Sequence, residues 1–182
     1  MSGFTLLELL VVMGIMLVIT SLILVKHSQF NGTVLLRNLS YSVALSIRQA
    51  QVYGLSGRNI SGFIATQFGV HFSATTPNQY ILFADLDDDA AYDSGESIEV
   101  FTLAGSYAIS NICADTGALL KCSGSGDIDR LTIIFRRPNP DARFLTNVPE
   151  TYSGAVVTLL SSQGATRTIE VTTTGQIEVQ QE

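Results

Sequence analysis

Apolar residues fill the start of the chain almost without interruption. From residue 4 to residue 25 the only charged side chain is Glu8, there is no proline, and the next charge is Lys26. A helix rises about 1.5 Å per residue, so about 20 apolar residues cross a bilayer core of about 30 Å. The pattern predicts a transmembrane helix over residues 4–25. A secretory signal peptide and a buried core helix are the alternatives.

Beyond this run, apolar positions recur every three or four residues, as on one face of a helix. They are Phe30, Val34, Leu35, Leu39, Val43, Ile47, Ala50 and Tyr53. Polar side chains, among them Arg37, Arg48 and Gln51, fill the other positions. Gly54, Ser56 and Gly57 end the pattern. We therefore predict that the helix continues in amphipathic form over residues 26–56 and covers a domain with one face.

After residue 57 the pattern changes to alternation and to short apolar runs between turn-forming residues. Nine strands are predicted, over residues 62–66, 69–72, 79–85, 97–103, 108–112, 130–136, 154–161, 166–172 and 176–179. Thr174 and Gly175 separate the last two, which are predicted to form a hairpin. The predicted fold class is α+β: a long N-terminal helix packed on an antiparallel β-sheet domain over residues 57–182.

Composition adds two limits to this picture. The β-rich part is long enough to bury a core of its own. The chain has a formal net charge of −6, which argues against general binding to nucleic acid, because phosphates require Lys and Arg.

Glu8 is the unusual residue of the apolar run. A carboxylate inside a membrane span costs about 2.5–3.5 kcal/mol at the helix centre, so it is expected to have a partner. No Lys or Arg lies three or four residues further on, where Val11 and Val12 stand. The partner must therefore come from the chain's own N-terminus or from another chain.

Gly3, Phe4 and Glu8, followed by the unbroken apolar run, resemble the N-terminus of type IV prepilins and of the pseudopilins of type II secretion. The resemblance implies a leader of residues 1–3, cleavage between Gly3 and Phe4 by a prepilin peptidase, and N-methylation of Phe4. It also implies that Glu8 neutralises the Phe4 amine of a neighbouring subunit during assembly. Opposite charges in a bundle of low dielectric constant attract strongly.

Residues 47–54 resemble the helix end of the minor pseudopilin group that contains FimT and GspH. The resemblance implies a pilin-like fold and a structural subunit of a type IV pilus or type II secretion filament. Such a subunit is held in the bacterial inner membrane by a single pass, and then enters a periplasmic or extracellular filament. Its partners would be other pilin or pseudopilin subunits.

Residues 85–96 match the ligand spacing of a calcium loop, which needs six to eight oxygens. The candidate ligands at positions 1, 3, 5, 7, 9 and 12 are Asp85, Asp87, Asp89, the Ala91 carbonyl, Asp93 and Glu96. Position 6 holds Ala90, where such loops normally use glycine for its positive φ. The flanking segments are predicted strands, so this is a hairpin loop. The alternative is a solvated acidic turn without an ion, and no other cofactor is predicted.

Cys113 and Cys122 flank a short segment. If the domain is exported, a disulfide between them is expected; two buried thiols are the alternative.

No catalytic motif accompanies these features, so no enzymatic activity is predicted. His71 is expected to be a structural or surface residue of a strand. A DNA-binding minor pilin of an uptake pilus is the alternative function. The basic cluster available for it is Arg136, Arg137 and Arg143, and the C-terminal tail is acidic.

Overall fold

The computed structural model describes residues 5–56 and 65–181, and the side chains of residues 25–31 and 181 are not described. One helix, α1 (Leu6–Ser56), has 51 residues. The predicted continuous helix is therefore confirmed over this range. Predicted residues 62–64 lie outside the described residues, and Ala65 and Thr66 precede the first strand without belonging to it.

Ten strands follow the helix. They are β1 (Gln67–Ser73), β2 (Gln79–Asp85), β3 (Ser97–Thr102), β4 (Ala108–Asp115), β5 (Leu120–Cys122), β6 (Arg130–Arg136), β7 (Ala142–Thr146), β8 (Gly154–Leu160), β9 (Thr166–Thr172) and β10 (Ile177–Gln181). Strands β5 and β7 were not expected from the sequence. They are among the shortest strands, with three residues in β5 and five in β7.

The strands form two antiparallel five-stranded sheets. Sheet 1 has the order β3-β2-β1-β6-β7, and sheet 2 has the order β10-β9-β8-β4-β5. The predicted terminal hairpin is confirmed, because β10 pairs with β9 in continuous register from Ile177–Val171 onwards. The coarse prediction, an α+β fold with a helix on antiparallel sheets, is thus confirmed.

One hydrophobic core joins the helix to both sheets. Buried side chains of sheet 1, such as Phe72, and of sheet 2, such as Val157, share it with the second half of α1. Six buried positions on that half recur at spacings of four and three, with Ser46 and Gln51 buried beside them: Leu36, Ser40, Val43, Ile47, Ala50 and Gly54. The 4-3 spacing keeps one narrow stripe of the helix against the sheets.

Two predictions for this half of the helix were wrong. Val34 and Leu35 are both 42% exposed, and Leu36 is buried instead. Gln51 does not face solvent: it is buried, and its Nε2 donates to the carbonyls of Pro140 at 3.0 Å and Gly175 at 3.1 Å. The predicted helix end is confirmed, because α1 ends at Ser56 and Gly54 lies in its last turn.

Candidate functional site

The first candidate site is the N-terminal half of α1. Over Leu6–Leu24, 19 residues, none of the residues is buried in the rest of the chain. By length and composition this segment is sufficient to cross a membrane, and a signal sequence would meet the same criterion. The buried core helix considered from the sequence is wrong, since these side chains are exposed.

Glu8 has a partner within the described chain. The backbone N–H of Glu8 donates to Thr5 Oγ1 at 3.3 Å, and the backbone N–H of Thr5 donates to Glu8 Oε2 at 3.3 Å. Thr5 Oγ1 also donates to Glu8 Oε2 at 3.2 Å. This is a capping box, in which a Thr and a Glu three residues apart satisfy the open N–H groups of a helix start. The sequence carries its signature, Thr-x-x-Glu, which our sequence analysis missed.

A second apolar stripe runs along the solvent side of the later half of α1. Val34, Tyr41, Leu45 and Val52 lie on the side of the helix opposite the buried stripe, and each is between 42% and 68% exposed. At 3.6 residues per turn, these positions fall within a narrow sector. The uncovered surface of the N-terminal half therefore continues along the part of the helix that packs on the domain.

The second candidate site is the acidic loop between β2 and β3. Carboxylate oxygens of Asp85, Asp87 and Asp89 all lie within 4.8 Å of one another. Calcium binds oxygens at 2.3–2.6 Å, so ligands on opposite sides of one ion are about 4.8 Å apart. The three carboxylates fit a single calcium ion by this criterion.

The loop is folded around Asp85. This buried carboxylate accepts N–H bonds from Asp88 at 2.7 Å on Oδ1 and from Ala90 at 2.8 Å on Oδ2. Burial raises the pKa of Asp85, while these two backbone bonds act to lower it and the charges of Glu96 and Asp89 raise it further. Ala90 adopts φ +68°, the left-handed conformation that the loop position requires, although it is not glycine.

The other predicted ligands are placed differently. Glu96 is buried, and its two carboxylate oxygens accept N–H bonds from Leu86 at 2.7 Å and Asp93 at 2.9 Å. It therefore closes the loop through the backbone, and neither Glu96 nor Asp93 joins the cluster of three carboxylates. Ala91 donates its N–H to Asp89 Oδ1 at 2.7 Å. In this arrangement three of the five predicted side-chain ligands lie together.

The same loop covers the outer face of sheet 1. Ala90 packs with Phe83 and Ile134 in a small separate core. Tyr92 contacts Phe83 edge-on at 5.5 Å between ring centroids and His71 at 5.2 Å. The acidic residues are thus held on a loop that is anchored by apolar contacts.

A polar cleft of about 390 Å³ lies beside Tyr92, lined among others by His71, Asp93, Asp129 and Arg130. His71 Nδ1 is hydrogen-bonded to Thr132 Oγ1 at 2.9 Å, across the strand pair β1–β6. Burial, followed by the charge of Arg130, lowers the pKa of His71 from 6.5 to about 4, against a raising effect of Asp129. His71 is therefore neutral at pH 7 and sits in a strand, as expected.

The two cysteines form a disulfide, as expected. Cys113 and Cys122 are directly opposite each other on β4 and β5, with 4.1 Å between their Cα atoms. The bond ties the short edge strand β5 to its neighbour.

Two of the three arginines of the predicted basic cluster act on the acidic loop. Arg136 Nη2 lies 3.3 Å from Asp88 Oδ2. Hydrogen bonds from Thr66 and Gln67 are the main cause of the lowered pKa of the Asp88 carboxyl, and the charges of Arg136 and Arg143 lower it further.

Comparison of the chain with family models, with curated proteins and with solved structures gave no match.

Proposed function

We propose that the protein is a structural subunit of a membrane-anchored filament: a minor pilin or pseudopilin of a type IV pilus or of a type II secretion system. One observation carries the proposal. A single helix is wholly uncovered and apolar over Leu6–Leu24, and the same helix then packs its other half into a β domain. Such a segment needs lipid around it before assembly and other helices around it afterwards.

The resemblance of the N-terminal residues to prepilins supplies the chemistry of assembly. In this proposal a prepilin peptidase cleaves after Gly3 and methylates Phe4, and the subunit waits in the inner membrane. Glu8 then exchanges its bonds with Thr5 for the Phe4 amine of a neighbouring subunit. A charged pair in apolar surroundings is worth more than the same pair in water, and an unpaired charge there is penalised.

Because Glu8 is part of a capping box, its charge and its capping role can be tested separately. Glu8→Gln keeps a residue that suits the third position of a capping box but removes the charge. Glu8→Ala removes both the capping side chain and the charge. If charge pairing drives assembly, both variants insert in the membrane at wild-type levels, and both are depleted at least tenfold in sheared filaments by immunoblotting.

Thr5→Ala is the matched control, because it removes the cap and leaves the charge. Wild-type incorporation of Glu8→Gln, together with reduced incorporation of Thr5→Ala, would reduce the role of Glu8 to capping and contradict the pairing. Fractionation of the full chain as a soluble monomer, without detergent, would contradict the filament proposal as a whole.

The DNA-binding alternative has less support. Arg136 is already ion-paired with Asp88, and Arg143 lies in the field of the same carboxylate. A gel-shift assay at low salt separates the two functions: a DNA affinity tighter than micromolar would favour the uptake pilus.

A further inference from the structure

The polar cleft beside Tyr92 has the size and the position of a ligand site. Its volume is about 390 Å³, and small-molecule pockets usually have volumes of about 300–1,000 Å³. The outer face of sheet 1 forms its floor, through His71 and Thr132 among others. The acidic loop forms a wall of the cleft, through Tyr92 and Asp93. The cleft therefore lies where two separate parts of the fold meet.

Contacts within the protein fix the shape of this cleft. The ring of Tyr92 lies 5.2 Å from the ring of His71, measured between centroids. His71 Nδ1 is hydrogen-bonded to Thr132 Oγ1 at 2.9 Å. In the wall, the N–H of Asp93 donates to Glu96 Oε2 at 2.9 Å. Floor and wall are thus in place without a ligand, which reduces the free-energy cost of ordering side chains on binding.

Three charged side chains at the cleft are free to bind a ligand. The carboxylates of Asp93 and Asp129 and the guanidinium of Arg130 make no hydrogen bond or ion pair within the part of the chain that the structure describes. All three residues are exposed, and all three line the cleft. An ionised carboxylate only accepts hydrogen bonds, and a guanidinium only donates them. A ligand in this cleft therefore meets two acceptor groups and one donor group.

These groups argue against three other classes of ligand. Among the described residues, the three side chains close enough to share a metal ion are Asp85, Asp87 and Asp89, and none of them lines the cleft. An anion would meet two carboxylates and a single guanidinium. An apolar molecule would take charged groups out of water without replacing their hydrogen bonds, which is costly. A neutral molecule rich in hydroxyl groups fits, because each hydroxyl both donates and accepts.

We propose that the cleft binds a neutral saccharide. Hydroxyl groups of the sugar donate to the carboxylates of Asp93 and Asp129 and accept from the guanidinium of Arg130. An apolar C–H face of the sugar ring packs on Tyr92, whose side chain offers apolar area beside its hydroxyl. His71 Nε2, which makes no hydrogen bond within the described chain, is a further partner. The proposal needs only the β domain and does not rest on the filament function.

The test uses the full chain in micelles of lauryldimethylamine oxide, because the headgroup of this detergent is not a sugar. The probes are the methyl glycosides of glucose, galactose, mannose and N-acetylglucosamine. Saturation-transfer difference NMR measures their binding. We expect saturable transfer to at least one glycoside, with a dissociation constant in the millimolar range.

Protein variants locate the binding. Asp129→Ala removes an acceptor and Arg130→Ala removes the donor, and each should lower the affinity for that glycoside at least tenfold. Neither side chain is bonded to the described chain, so the fold should tolerate both changes, as circular dichroism checks. Asp141→Ala is the control. It removes an exposed acid that does not line the cleft, and it should bind like the wild type.

Absence of saturable transfer to all four glycosides would overturn the proposal. So would a glycoside affinity that is unchanged in both Asp129→Ala and Arg130→Ala. Glycine and sodium phosphate serve as zwitterionic and anionic probes in the same assay. Tighter binding of either one than of the glycosides, lost in Arg130→Ala, would assign the cleft to a charged ligand and contradict the saccharide site.

Discussion

A Cβ atom added to Gly54 would lie 2.5 Å from the carbonyl oxygen of Phe135. Real Cβ atoms do not approach a carbonyl so closely, so the helix and strand β6 meet here only because the side chain is missing. Gly54 is buried in the last turns of α1. It sets the distance between the last turn of the helix and sheet 1.

Gly54→Ala should therefore destabilise the domain, by about 1–3 kcal/mol as for other overpacked sites. The intrinsic preference of helices for alanine, about 1 kcal/mol, acts in the opposite direction. Urea denaturation of the full chain in detergent, followed by tyrosine circular dichroism, measures the difference.

Gly14→Ala is the matched control. It makes the same substitution in the same helix, at a position where the new Cβ meets no atom within 4 Å. It should leave the stability of the domain unchanged. A stability gain in Gly54→Ala would show that the contact with Phe135 relaxes freely.

Gly54 also illustrates what the sequence conveys and what it does not. A glycine near the end of a helical pattern was taken as a stop signal, because local statistics favour that role. The close approach of β6 depends on a strand 80 residues away, which no local pattern contains. Likewise, the sequence predicts Gln51 to be a polar surface residue, because the carbonyls of Pro140 and Gly175 that accept its hydrogen bonds are distant in the chain.

Long elements with strong periodicity, in contrast, were predictable because their pattern lies within one stretch of the chain. The apolar run, the pattern of β2 with its buried Leu82 and the terminal hairpin with its Gly175 turn are all encoded in neighbouring residues. Strand β5 depends on a bond between Cys113 and Cys122 and on pairing across β4. In the acidic loop, the trio of Asp85, Asp87 and Asp89 follows from local spacing. Glu96 instead accepts hydrogen bonds from backbone N–H groups, and this depends on how the hairpin closes.

Calcium should stabilise the protein if the acidic loop binds it. At a concentration of 100 times the dissociation constant, one site adds about 2.7 kcal/mol to the free energy of unfolding. Asp87→Asn should weaken calcium binding at least tenfold. In EDTA it should be neutral or slightly stabilising, because it relieves repulsion with Asp85 and Asp89. The side chain of Asp87 is exposed and accepts only a long 3.3 Å bond from Asp89 N–H, so the loop does not depend on it.

Isothermal titration and thermal unfolding of the full chain in detergent measure both effects. Asp141→Asn, an exposed acid outside the loop, is the control and should bind like the wild type. No heat and no calcium-dependent rise in melting temperature would establish the solvated acidic turn.

The disulfide should contribute to stability chiefly by restricting the unfolded chain. The loop between Cys113 and Cys122 is short, and closing such a loop is worth about 2–3 kcal/mol. The double variant Cys113→Ser, Cys122→Ser should lose that amount in urea denaturation. Dithiothreitol should lower the stability of the wild type by the same amount and leave the double variant unchanged.

A loss confined to the reduced wild type, with a stable double variant, would mean that the reduced thiols themselves perturb the packing. In that case chain restriction is not the cause.

His71 should make stability depend on pH in a defined window. Its folded pKa is lowered to about 4, while the unfolded side chain titrates at 6.5. Between these values the unfolded chain binds a proton that the folded protein does not, so this contribution is lost as the pH falls from about 6.5 to about 4. The loss reaches about 3 kcal/mol at pH 4. Above pH 7 the residue has no effect.

Urea denaturation across pH 4–8 measures this effect. The free energy of unfolding should depend less steeply on pH for His71→Gln, because glutamine cannot be protonated and retains a hydrogen-bonding partner for Thr132. Identical slopes for the two proteins would mean that His71 is hydrated well enough in the fold to be protonated at its ordinary pKa.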